Sequence, residues 1–559
     1  MKIKVLGQEH PDTLLVMTSL ALTYNLQGRL NEAEQLYIQV VDISKRVLGE
    51  EHPNTLMSMA HLASTYRNQG RWDETEHLEI QVLDMRKRLL GPKHPHTLGS
   101  MSSLASIYNL KERWNKAEPL QIQVLNIKKE VIGEEHPDTL RCMRNLAETY
   151  LHQRRLNEAE QLQIQILDIR NKVPGQKHLD SWNDIANLAS IYRIQERWSE
   201  AEHLAIQVFD IKKRITGPEH PDTLTSMANL ASIYNGQKRY NEAEQLEIQV
   251  LDMRKRLLGQ KHPNTLIAMV NLAATYRNQE KWNEVEQLEI QVLDIRKRLL
   301  GQEHPNTLMA IANLAATYKI QKRWKEAEQL EIQVLDIRKR LLGQEHPDTL
   351  ISIANLAEIY RIQERWNEAE QLGIQVVDIR KRLLGQEHPD TLMAIAHIAV
   401  TYRLQGRWNE AEQLVIQVLD MRKRVLGQEH PHTLISMATL ALIYNNQERW
   451  NEAEQLAVHV LNMRKKVIGQ EHPDTLESMA NLATTYKHQE KWNEAEQLEI
   501  QVLDVRRRVF KQGHPDILTS ITSLATIYRH QERWDEAEQL EIQLVKLNKK
   551  VLEKENSQV

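Results

Sequence analysis

The stretch Gly301–Leu342, GQEHPNTLMAIANLAATYKIQKRWKEAEQLEIQVLDIRKRLL, decides the fold. Leu308, Ile311, Ala315 and Tyr318 fall at spacings of 3, 4 and 3, the pattern of one helix face, and Leu314 widens the stripe. His304-Pro305 opens this helix, because proline suits the first helical position and pushes its predecessor out of helical geometry. Asn306, or Asp348 in the next unit, sits in the first turn, where an acid also favours the positive end of the dipole. A second helix carries Ala327, Leu330, Val334, Ile337 and Leu341 at spacings of 3, 4, 3 and 4, with Leu335 and Leu342 alongside. A stripe that wide suits a helix packed on two sides. Its acidic start (Glu326, Glu328) and basic end (Arg338, Lys339, Arg340) complement the dipole, and Gly343 ends it. At 1.5 Å per residue, helices of about 16 and 18 residues are roughly 24 and 27 Å long.

The same reading recurs along the whole chain. His-Pro returns at His10, His52, His94, His136, His220 and onward to His514, always at multiples of 42; His178 keeps the phase, although Leu179 replaces its proline. Tyr24 through Tyr528 and Ala21 through Ala525 recur thirteen times in step, so thirteen units of 42 occupy 546 of 559 residues. Units seven and eight agree at 32 of 42 positions, the mark of internal duplication. The expected organisation is a remnant of a preceding second helix over 1–6, thirteen repeats over 7–552, and a polar tail over 553–559.

Composition narrows the class. A 559-residue chain exceeds a single compact core, yet 41% hydrophobic residues are enough to bury. A net charge of −4 provides no global pull toward nucleic acid or anionic membrane. No apolar run approaches the roughly 20 residues that span a bilayer, and the first residues are too short an apolar stretch for a signal peptide. One cysteine, Cys142, excludes an intramolecular disulfide and a Cys-based zinc cluster. A cytoplasmic monomer without cofactors is the expectation.

The unit resembles the tetratricopeptide repeat, whose aromatic-x₂-Leu-Gly-x₂-Tyr…Ala-x₃-Phe…Pro signature is matched by Ile311-x₂-Leu314-Ala315-x₂-Tyr318…Ala327 and Pro347. Ile or Met stands for the first aromatic, Glu331 stands where Phe is expected, and eight extra residues lengthen the second helix and its turn. The 42-residue unit, with Leu-Gly-x-x-His-Pro-Asp-Thr-Leu…Asn-Leu-Ala…Tyr…Glu-Ala-Glu, is similar to the repeats of kinesin light chains. It is closer still to the light-chain-like arrays of fungal nucleotide-binding receptors. The resemblance implies an all-α, right-handed α-solenoid superhelix of about thirteen helix-turn-helix repeats that binds other proteins. No heptad segment and no G-x-x-x-x-G-K-[ST] phosphate loop occurs in the sequence, although light chains carry the first and the receptors the second. Two alternatives stay open: the ligand-sensing array of a switch ATPase encoded elsewhere, and a light-chain-like cargo adaptor.

Catalysis and metal binding find no foothold. Zinc ligands converge within about 2.1 Å of one ion, whereas packed helices hold equivalent histidines roughly 8–10 Å apart or more; the histidines read as loop and cap residues. Glu-x-Glu pairs such as Glu368/Glu370 belong to a helix's first turn. Everything conspicuous appears about thirteen times, whereas a catalytic group should appear once. The tryptophans at the start of the second helix (Trp72, Trp324, Trp366 and others) read as buried packing, and the Arg-Lys-Arg triplets as a charge-balanced surface facing the acidic start of a neighbouring helix.

One ladder remains. The residue before Leu-Ala in the first helix is Asn145, Asn187, Asn229, Asn271, Asn313 and Asn355 in succession, then Asn481 after His397 and Thr439. Asparagine is a mediocre helix former, and an exposed amide both donates to and accepts from a peptide backbone. The resemblance implies that these amides line a concave face and hold peptide main chains. A second column follows the tyrosine: Arg67, Arg193, Arg277, Lys319, Arg361, Arg403, Lys487 and Arg529. A third, apolar column includes Leu15, Met57, Ile267, Met309, Ile351, Met393 and Ile435. Amide, cation and apolar contact together describe a groove for an extended, acidic peptide of a partner protein, with neither nucleic acid nor membrane insertion involved.

Overall fold

The computed structural model describes residues 7, 9–172, 179–509 and 514–556. The remnant expected over 1–6, His178 and the end of the expected tail lie outside them. Twenty-six helices alternate among the described residues, with first helices such as Pro305–Ile320 and Pro347–Ile362, and second helices such as Trp324–Leu342 and Trp366–Leu384. The last helix, Trp534–Asn556, reaches into the segment expected as tail. Two compact units divide the chain, Met1–Lys281 and Trp282–Val559. Within each, a first helix packs on its own second helix, which packs on the first helix of the next repeat. The all-α, thirteen-repeat reading therefore holds.

The periodic stripes become the core. Leu308, Ile311, Leu314 and Ala315 are buried, as are Ala327, Val334 and Leu335 of the second helix, with Leu335 packed among Leu350 and Ile353 of the next repeat; the pattern repeats from Leu14 to Leu524. Burying each such aliphatic side chain contributes about 1.5–3 kcal/mol, spread evenly along the array.

The histidine ladder caps helices. His304 Nδ1 accepts the Asn306 N–H at 3.1 Å, and His346 Nδ1 accepts that of Asp348 at 3.2 Å. The ring, rather than the Asn or Asp side chain, satisfies an otherwise unpaired amide of the first turn. Thr349 Oγ1 then donates to the Gly343 carbonyl at 2.8 Å, and Gly343 takes the left-handed φ of 87° that lets the chain turn there.

A staple repeats at each junction within a unit. Arg365 donates to Glu328 of the preceding repeat at 2.7 Å and to Glu368 at 3.0 Å, lies 3.9 Å over the Tyr360 ring, and is braced by Gln363, which also donates to Glu328. The Arg-Lys-Arg triplets are used differently from the sequence expectation. Arg338 reaches forward to the Asp348 carbonyl and Ser352 Oγ, while the third residue of a triplet pairs with an acid in the turn before its own first helix, as Arg424 does with Glu387 at 3.1 Å. The tryptophans are half-buried rather than buried. Trp450 stacks on His488 and Trp492 on His530, each from the following repeat, with ring centroids 4.6 and 4.3 Å apart. Trp534 in the last repeat is 62% exposed, so the packing role applies only where a next repeat covers the ring.

Candidate functional site

The amide column divides into free and engaged members. Asn145, Asn187 and Asn229 in the first unit are exposed, and their side chains have no hydrogen-bond partner among the described residues. Asn271 and Asn313 are half-buried. Asn355 is drawn inward, and its amide donates to the carboxylate of Glu331 on the preceding second helix. Four residues before Asn313 and Asn355, apolar side chains are left in solvent: Met309 is 51% and Ile351 47% exposed, whereas Arg141, Asn183 and Thr225 hold that place before the three free amides. The first helices thus present hydrogen-bonding groups in the first unit, and apolar groups in the second, that the fold itself does not use.

The cation column is less uniform than its spelling. Lys319 donates to Glu358 of the next first helix at 2.5 Å, so its charge is already met. Arg361 lies 4.0 Å from the same carboxylate, a loose contact. Arg403 is half-buried, with its Nε buried and without a hydrogen-bond partner. Arg193 is half-buried beside Asn229, and Arg277 is half-buried. Lys487 bonds Ser523 Oγ at 2.8 Å, and burial pushes its ammonium below its ordinary value. The cations therefore do not form one open basic strip.

Sequence reading missed the partner that explains this. The position where an aromatic was expected holds Glu79, Glu247, Glu289, Glu331 and Glu499, and all five are buried. Each points from a second helix toward the neighbouring first helices. Thr317 donates to Glu289 at 2.7 Å, Ser523 to Glu499 at 2.6 Å, and Thr275 to Glu247. Gln121 is the neutral version, accepting from Thr149 at 2.8 Å. Burial raises the Glu331 and Glu499 carboxyls, and it pushes Glu79 and Glu247 up to about 7. The opposing pull comes from Arg86 and then Arg67 on Glu79, from the Asn355 hydrogen bond, Arg338 and then Lys319 on Glu331, and from the Ser523 hydrogen bond and then Lys487 on Glu499. Arg529 pairs directly with Glu541 in the same register. Buried Glu79, Glu331 and Glu499 thus each feel a cation of this column from the same repeat.

Cavities open on the same face. One of about 270 Å³ is lined by Ile351, Asn355, Arg361, Gly373, Met393 and His397, among others. An adjoining one of about 370 Å³ shares Arg361, Met393 and His397 and continues to Val415, Arg422 and Ile435. A smaller one of about 20 Å³ lies in the first unit between Arg193, Ala205 and Asn229. Nothing in these linings aligns a nucleophile with a base. The cap histidines each direct Nδ1 to a helix amide, and no cluster of metal-ligating side chains forms among the described residues. No helix among them is long and apolar enough to cross a membrane.

A family model described as tetratricopeptide repeat matches residues 12–88, 97–172, 180–256, 229–298, 264–340, 306–382, 348–424, 390–466, 433–508 and 474–550. A solved structure of a putative kinesin light chain of Podosopora anserina with nearly identical TPR-like repeats is 33% identical over 37% of this chain and 98% of its own, with a TM-score of 0.34. A point variant of that protein matches at 32% identity over the same shares, with a TM-score of 0.35. BtubC (BKLC) from P. vanneervenii is 21% identical over 45% of this chain and 94% of its own, with a TM-score of 0.34. No curated protein sequence matches.

Proposed function

Because this chain belongs to the tetratricopeptide repeat family, we propose that it is a non-catalytic protein–protein interaction scaffold that holds an extended, acidic segment of a partner along the exposed face of its first helices. The observation that carries this reading is the set of free amides at Asn145, Asn187 and Asn229, solvent-facing and unused by the fold. A helix gains little from asparagine at such positions, whereas an extended main chain supplies the donors and acceptors an amide needs. In other repeats the exposed side chains Ile267, Met309 and Ile351 offer apolar contact to the partner, and unneutralised cations such as Arg193 favour acidic ones.

Titration calorimetry with an end-blocked acidic peptide and its neutral counterpart tests the proposal. Replacing Asn187 and Asn229 together by Ala removes two neutral hydrogen bonds of about 1 kcal/mol each, so both peptides weaken by roughly tenfold or more. Arg193→Ala weakens only the acidic peptide and flattens its salt dependence, because exposed charge pairs are screened. Helicity stays unchanged in all three substitutions. Binding indifferent to all of them places the contact on another face and overturns the reading.

A further inference from the structure

The cation column and the buried-acid column obey a rule that three repeats break. Eight repeats carry Arg or Lys after the tyrosine, and in five of them the residue twelve positions on is glutamate: Glu79, Glu289, Glu331, Glu499 and Glu541. After Arg193, Arg361 and Arg403 the same position holds Ala205, Gly373 and Val415. The cavities described above sit at these three places: Ala205 lines the small one, Gly373 and Val415 the two larger ones. Loss of the glutamate side chain thus leaves an empty volume beside a positive charge that is poorly compensated: Arg361 keeps only its loose 4.0 Å contact with Glu358.

The second unit shows the consequence most fully. The two adjoining cavities are bordered by Arg361, Arg380, Arg422 and His397. Glu358 is the one carboxylate in their lining, and Lys319 already holds it. Arg380 donates to the Asp390 carbonyl at 2.9 Å, and Arg422 to the His432 carbonyl at 2.9 Å and Ser436 Oγ at 2.8 Å. These acceptors are neutral, so they fix the guanidinium groups without cancelling their charge. His397 replaces the asparagine of the amide column at this point, and burial together with Arg361, Arg380 and Arg422 holds its ring below the usual histidine value. Arg403 is depressed by burial and by Arg361 in the same way. Around this positive centre stand Ile351, Met393, Val400 and Ile435, an apolar rim of side-chain dimensions.

We propose that repeats nine to eleven hold the specificity pocket of the array, in which an acidic side chain of the bound segment takes the place of the missing glutamates between Arg361, His397 and Arg422, with an aliphatic neighbour seated against Met393 and Ile435. The pocket accepts a carboxylate because the sister repeats place one there from their own chain. It accepts an extended segment because two such cavities adjoin and share a wall. This assignment rests on the peptide-scaffold reading above and locates its acid-recognising part.

The test uses the full chain and fluorescence anisotropy with two end-blocked, labelled peptides, one alternating Glu and Leu, the other Gln and Leu. The acidic peptide binds about tenfold tighter or more at low ionic strength, the gain of one or two charged hydrogen bonds. Val415→Glu restores the acid of the sister repeats and abolishes that preference; Arg361→Gln, at a half-exposed site, does the same without filling the cavity. His397→Asn restores the amide column and keeps the binding of the Gln peptide while reducing the preference for Glu. Should Val415→Glu fail to fold, as judged by circular dichroism, Arg361→Gln and His397→Asn decide alone. A preference that survives Arg361→Gln and His397→Asn but falls with Asn187→Ala and Asn229→Ala overturns the pocket and leaves the scaffold reading standing. Equal binding of the two peptides also overturns the pocket, and absence of any peptide binding overturns both.

Discussion

Glu79 and Glu247 lie beneath the first helices with carboxyls pushed up to about 7 by burial, against an ordinary value of 4.5. A carboxyl whose folded value exceeds its unfolded one stabilises the fold only while protonated. Between about 4.5 and 7 the folded state binds more protons than the unfolded, so stability falls as pH rises through that window. Above it the loss levels off at up to about 3 kcal/mol for each residue, since every tenfold change in proton affinity corresponds to about 1.4 kcal/mol. Glu79→Gln and Glu247→Gln, which copy Gln121 and Gln163 of repeats three and four, are expected to raise stability at about pH 9 by an amount of that order and to change it little at about pH 4.5. Urea unfolding at the two pH values measures it; an equal gain at both would show that these carboxyls do not titrate in this range. The buried column was open to discovery from spacing alone. Ala327, Glu331 and Val334 stand at 4 and 3, on the apolar stripe itself, but an acidic residue reads as surface unless its neighbours across the junction are known. The amide column was legible as a ladder for the opposite reason, because nothing in a helix calls for asparagine. Its division into free and engaged members was not legible, since Asn355 meets Glu331 across 24 residues of chain.

At the scale of the helix, the capping histidines carry a definite share of each first turn. His346→Ala removes the acceptor of the Asp348 amide and is expected to weaken the helix Pro347–Ile362 locally by about 1 kcal/mol, whereas His346→Asn retains most of the cap. Faster hydrogen exchange at the first-turn amides of that helix, with the other repeats unchanged, is the expected signature. If exchange is the same as in the parent, the ring does not act as the cap. Helix positions were nearly fully legible: the first helix of repeat eight is 16 residues as expected, and the second is 19 against an expected 18. Periodicity and proline fix such boundaries locally. The Arg365–Glu328 staple and the Trp450–His488 stack join different repeats, and no spacing within one repeat foretells which arginine meets which acid.

For the whole molecule, contacts in each compact unit pass from a helix to its neighbours in sequence, so stability is a sum of repeat and junction contributions. Removing whole 42-residue repeats from the C-terminal end is expected to leave helical proteins with gradually falling unfolding midpoints. Removing half a repeat is expected to do more harm, because it strands the apolar stripe of a first helix without its second. Thermal denaturation of both series checks this; loss of all helicity after one whole-repeat deletion would require a single cooperative core instead. The near-identity of the repeats also has a bearing on what a bound partner experiences. Asn145, Asn187 and Asn229 are equivalent footholds 42 residues apart, and a segment gripping only those amides has no reason to prefer one alignment over its translation by one repeat. Such a ligand is degenerate in position. Within the second unit, Gly373 and Val415 in adjacent repeats break that translational symmetry and give a chain bound there a zero from which its residues are counted.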